Sequence, residues 1–115
     1  MRNSKPDDVT APILEGHLSS ALCHMANISH QVGAGRSPEE IADATKPHKE
    51  FAASWDRFRT HLDANRVDFE KSKPTLGAVL TFDPAKEIFI GADAEEANKL
   101  LSREYRKPFE VPKIS

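Results

Sequence analysis

Leu18, Leu22, Met25, Ile28 and Val32 recur three or four residues apart, so on an α-helix they fall along one side. No other feature constrains the chain as strongly. The spacing predicts a helix from about Ile13 to Val32, within a long helical segment over residues 13–34. Gly33 and Gly35 are expected to end it, because glycine takes up the left-handed backbone of a helix end without a Cβ penalty.

Ser37-Pro38-Glu39-Glu40 then reads as a second helix start. Serine can accept a backbone N–H as N-cap, proline fits the first helical position, and carboxylates favour the first turn. This helix is expected to run to about Thr45 and to break at Pro47, which lacks a donor. Phe51, Trp55, Phe58 and Leu62 repeat at spacings of three and four, giving an aromatic-rich helical face over residues 48–65. Packing this face on the stripe of the first helix is the simplest way to bury both.

Residues 65–77 are charged, contain Lys73-Pro74 and read as a loop with a single turn of helix. From Gly77 to Gly91 the pattern becomes that of strands. Ala78–Phe82 and Ile88–Ile90 are β-prone, and Asp83-Pro84-Ala85-Lys86 has turn chemistry, which predicts a short hairpin. A hairpin of this length is marginal alone and needs a surface to lean on. Asp93 is placed as the cap of a last helix, from Ala94 to about Ser102, with Ala97, Leu100 and Leu101 facing inward. Pro108 and Pro112 are expected to hold the tail extended, and Met1–Thr10 reads as a polar lead-in.

The expected fold is therefore mostly α with a small β-hairpin. It has a long N-terminal helix, an inserted helical hairpin over residues 37–74, and a hairpin, helix and docking tail over residues 75–115. At 115 residues this is read as one domain, 1–115, with a modest core.

Lys and Arg number 16 against 18 Asp and Glu, interspersed along the sequence, so no basic stripe exists to neutralise phosphates and nucleic acid is not expected as a partner. Cys23 is the only cysteine, which excludes an internal disulfide. No apolar run approaches the roughly 20 residues that span a bilayer, so no membrane partner is expected. Residues 1–20 lack the apolar centre of a leader, which leaves the compartment open with the cytoplasm as default.

Several residues could carry chemistry. His17, Cys23, His24 and His30 are zinc-type ligands on one helix, but His17 and His24 are seven apart, and adjacent Cys23 and His24 point about 100° away from each other. Buried or capping histidines and an inert cysteine within the helix packing surface explain them better. Gly33-Ala34-Gly35 follows a helix and lacks the third glycine of a dinucleotide loop, so no cofactor is expected in this chain. Asp7, Asp8, Glu39, Glu40, Glu95 and Glu96 sit at helix starts or in polar loops, and Ser19 and Ser20 have no triad partners. No catalytic, cofactor or metal residue is assigned. The tail is the better candidate: Arg103, Tyr105, Arg106 and Phe109 combine bidentate donors with apolar area and are read as anchors for docking on protein.

Glu15-Gly16-His17-Leu18-Ser19-Ser20-Ala21-Leu22-Cys23-His24, followed by Leu80-Thr81-Phe82-Asp83-Pro84, Ile88-Phe89-Ile90-Gly91 and Glu96-Ala97-Asn98-Lys99-Leu100-Leu101-Ser102-Arg103-Glu104-Tyr105-Arg106-Lys107-Pro108-Phe109, resembles the C-terminal end of bacterial Gfo/Idh/MocA-family oxidoreductases. The matching stretches are about 3–32 and 75–112. Residues 37–74 are similar to a longer insertion found in a subset of bacterial members. The family has an N-terminal Rossmann domain that binds NAD(P), then an α+β domain whose open sheet faces the nicotinamide.

The family's glycine-rich fingerprint, Glu-Lys-Pro lysine and catalytic histidine lie upstream of the matched portion, so no catalytic role passes to His17 or His24. Where members commonly carry an aromatic residue, this chain has His30. The resemblance implies a C-terminal part inactive alone, with NAD(P) belonging to the parent enzyme, a sugar-like substrate, and the remainder of an oxidoreductase or a second copy as partner. A free-standing helical protein-interaction module is the alternative, with a small metal-binding protein behind it.

Overall fold

A computed structural model describes residues 10–111. The lead-in over residues 1–9, with Asp7 and Asp8, and Pro112 lie outside the described residues. Within them are four helices and two small antiparallel sheets of two strands each, so the chain is mostly α with a small hairpin. It divides into two compact units, Met1–Ala78 and Val79–Ser115, and the division falls inside the 75–115 stretch.

In the first unit, α1 spans Ile13–Val32, the bounds expected from its apolar row. Its end is not the left-handed one the glycines predict. Gly33 is extended, with φ −67° and ψ 177°, and its N–H donates to Ser29 O at 3.0 Å. Glycine is needed there for room: a Cβ would collide with Leu76 O and approach Gly77 Cα to 2.7 Å.

That close approach comes from a sheet the sequence does not announce. β1 (Ala34–Gly35) pairs with β2 (Thr75–Leu76) in the register Ala34↔Leu76, Gly35↔Thr75. Arg36 N–H donates to Pro74 O at 2.9 Å, Ala78 N–H to Ser29 O at 2.9 Å, and Ser29 Oγ–H to Ala78 O at 2.7 Å. Residues 36 and 74 thus meet at the base of the 37–74 excursion.

Within the excursion, α2 (Pro38–Thr45) opens with a capping box. Ser37 Oγ accepts from Glu40 N at 3.2 Å, and Glu40 Oε2 accepts from Ser37 N at 2.8 Å. Its inner face buries Ile41 and Thr45. α3 (Lys49–Ala64) follows after a short link and buries Trp55, with Phe58 at 6.1 Å between ring centroids. The close helix pair is therefore α2 with α3, and the expected packing of the α3 face on the α1 stripe gives way to it. A short connection at Pro47 makes consecutive helices neighbours before a more distant helix can compete.

In the second unit, β3 (Thr81–Asp83) and β4 (Ile88–Ile90) form the hairpin, in the register Thr81↔Ile90, Phe82↔Phe89, Asp83↔Ile88. Asp83 Oδ1 accepts from Ala85 N and Lys86 N at 3.0 and 3.2 Å, which builds the turn from its first residue. Phe82 and Phe89 meet edge to face at 5.3 Å.

α4 (Ala94–Lys99) is shorter than the expected helix to Ser102. Asp93 precedes it with φ 58° and makes no side-chain cap bond, so it turns the chain by its backbone instead of capping by its carboxylate. Ala97 is buried as expected, but Leu100 and Leu101 are exposed, because the helix stops before their turn can be laid on the hairpin.

Candidate interaction surface

α1 changes character along its length. Ile28 is buried and Met25 and Val32 are half-buried, while Leu14, Leu18 and Leu22 on the same side are 60%, 52% and 70% exposed. Ile13 beside them is exposed as well. The row is continuous by helical geometry, yet only its C-terminal half is covered. Ser19 and Ser20 donate back to Glu15 O and Gly16 O at 2.6 and 2.7 Å, so their hydroxyls are engaged in the helix itself.

Cys23 is exposed, which corrects its expected place within the helix packing surface. The row at positions 18, 22, 25 and 28 faces one way, and position 23 falls on another side of the helix. Among the described residues, no group of three or more His, Cys, Asp or Glu is gathered as for a metal ion. Gly33–Gly35 does not fit a dinucleotide: it follows a helix, enters a strand pair with Thr75–Leu76, and the space left by Gly33 is filled by Leu76 and Gly77.

The anchors Arg103, Tyr105, Arg106 and Phe109 are all exposed. Two of them come together: the Arg106 guanidinium lies 5.2 Å from the Phe109 ring centroid, over a turn in which Phe109 N–H donates to Arg106 O at 2.8 Å. The Lys107–Pro108 bond within this turn is cis. Arg103 and Tyr105 are not part of that pair.

Exposed apolar residues also occur where the sequence reading named no anchor. Val79 is 84% exposed, and Ile88 and Ile90 are exposed while Phe89 between them is buried. The run Ile88-Phe89-Ile90 carried the clue, since a strand apolar on both faces is expected to be covered on both. Here only the Phe89 side is covered.

Charge is local and modest. Backbone donation from Ser37, then the nearby Arg36 guanidinium, hold the Glu40 carboxyl below the ordinary glutamate value. Glu96 and Glu95 raise Lys99, at 2.7 and 3.3 Å. Both clusters brace their own helices. Among the described residues no helix is long and apolar enough to cross a membrane.

No protein-family model, curated protein or solved structure matches this chain.

Proposed function

We propose that this chain is the non-catalytic structural and interaction part of an NAD(P)-dependent Gfo/Idh/MocA-like oxidoreductase acting on sugar-like substrates, and that it joins the rest of that enzyme through the uncovered half of α1. The observation that carries this is the half-covered row: Leu14, Leu18 and Leu22 continue the line of Ile28 but stay more than half exposed. Covering the exposed half or more of such side chains contributes about 1–2 kcal/mol each, enough to make the surface a docking face.

Two further features support the reading. The stretch Glu15–His24, which resembles the family, lies on this half of α1. The excursion over residues 37–74 has adjacent ends at Arg36 and Pro74, as an insertion into an existing scaffold requires.

The test supplies the purified chain to a Gfo/Idh/MocA oxidoreductase whose own C-terminal segment has been deleted. Binding is expected, with recovery of NAD(P)-dependent oxidation of its sugar substrate, and Leu18→Glu with Leu22→Glu should abolish both. The chain alone should neither bind NADH nor turn over substrate. Micromolar NADH affinity of the isolated chain, or absence of any complex, overturns the proposal.

A further inference from the structure

The hairpin has two long edges, and only one of them is closed. On the outer side of β4, Phe89 N–H donates to Asn98 Oδ1 at 2.8 Å and Phe89 O accepts from Asn98 Nδ2 at 2.9 Å. The carboxamide occupies the place of a neighbouring strand. In an antiparallel pair, the N–H and C=O of one residue point to the same side, and the side alternates along the strand. Phe89 therefore faces away from β3, and Ile88 and Ile90 face it, bonding with their register partners Asp83 and Thr81. Pro84 agrees with this phase, since the opposite one would require it to donate an N–H it lacks.

The same alternation turns the main chain of Phe82 to the outer side of β3, and the planar trans peptide that aims Thr81 N–H at β4 aims the preceding Leu80 C=O the same outer way. No described residue gives either a main-chain partner there, and β3 pairs with β4 alone. Phe82, with donor and acceptor, and the Leu80 C=O thus flank Thr81 on an edge that has no main-chain partner among the described residues.

We propose that this edge pairs with the same edge of a second copy of the chain, antiparallel about a two-fold axis, with Leu80 of each copy opposite Phe82 of the other. The edge is complementary to itself. In this register each Phe82 N–H meets Leu80 O of the other copy, extension of the strand by one residue brings Leu80 N–H to Phe82 O, and Pro84, which cannot donate, falls outside it. Thr81 meets Thr81 on the axis, a favoured cross-strand pairing, while Asp83 lies opposite Val79, so the two carboxylates stay apart. Val79, exposed in the single chain, gains cover.

Association stops at two, because each copy presents β4 as its other edge and Asn98 already fills it. This inference rests on the hairpin alone and is independent of the oxidoreductase reading.

Sedimentation of the full chain over a range of concentrations tests it. A monomer–dimer equilibrium is expected, ending at the dimer. Thr81 is exposed, so Thr81→Lys and Thr81→Glu leave the single chain intact, yet each sets like charges together on the axis and should weaken association at least about tenfold. Mixing the two variants should restore it. A wild-type chain that stays monomeric through the millimolar range, association unchanged in both Thr81 variants, growth past the dimer, or failure of the mixture to associate each overturns the proposal. So does a dimer that Leu22→Glu dissolves and Thr81→Lys does not, which places the contact on α1.

Discussion

Asn98 commits both ends of its carboxamide to a single residue, Phe89, nine positions away and in another element. Asn98→Ala leaves the Phe89 N–H and C=O unpaired, which should cost the second unit about 1–3 kcal/mol per group left unsatisfied in its part-buried setting. It also opens the β4 edge, so assembly should run past two chains. Faster amide exchange at Phe89 and rising light scattering are the expected readings.

Gly33 sits where a side chain has no room. Gly33→Ala should destabilise the first unit by about 1–3 kcal/mol, read by urea unfolding, although its backbone angles suit any residue.

Glu40 gives a pH dependence with a definite sign. Its folded pKa lies below the ordinary 4.5, so its charged contribution is present above 4.5 and is lost as pH falls through the lower folded value. The excess thermal stability of wild type over Glu40→Gln should shrink over that acid interval and be flat above it.

The Ser37 cap was legible because a cap is written within four consecutive residues. The Asn98 clamp was not, since nothing in a sequence says which strand a carboxamide will meet. Asp93 misled for a related reason: the same residue type caps by its oxygen or turns by its backbone, and φ 58° selects the second.

At the scale of elements, α1 divides into a half that holds the first unit and a half that does not. Ile28→Ala should cost about 2–5 kcal/mol of unfolding free energy, whereas Leu18→Ala and Leu22→Ala should stay within about 0.5 kcal/mol of wild type. Chemical denaturation of the three variants checks the contrast.

Helix positions were readable from periodicity, and α1, α2 and α3 fall where their apolar spacing and Ser37, Pro47 and the glycines put them. Packing was not. The α1 stripe looks uniform from Leu18 to Val32, and the partner of the α3 face was decided by the short link at Pro47. β1 and β2 have two residues each, too few for alternation to show, and they join segments far apart in the chain. Leu100 and Leu101 do not turn inward because α4 ends at Lys99, one turn short of what its apolar spacing suggests.

Over the whole molecule, the described residues bury five hydrophobic side chains, Ile28, Ile41, Trp55, Phe89 and Ala97, while many others, Leu14, Leu22, Val79 and Phe109 among them, stay exposed. A chain with this balance derives little of its stability from its own interior. Apolar area is accordingly available at α1, at the hairpin and in the tail.

Trp55 has a practical consequence of its own. It is the single tryptophan of the chain, it is buried, and its indole Nε1 finds no acceptor among the described residues. An indole so enclosed emits at short wavelength, and a shift of that fluorescence toward the red would register water reaching the buried side of α3 without any label added.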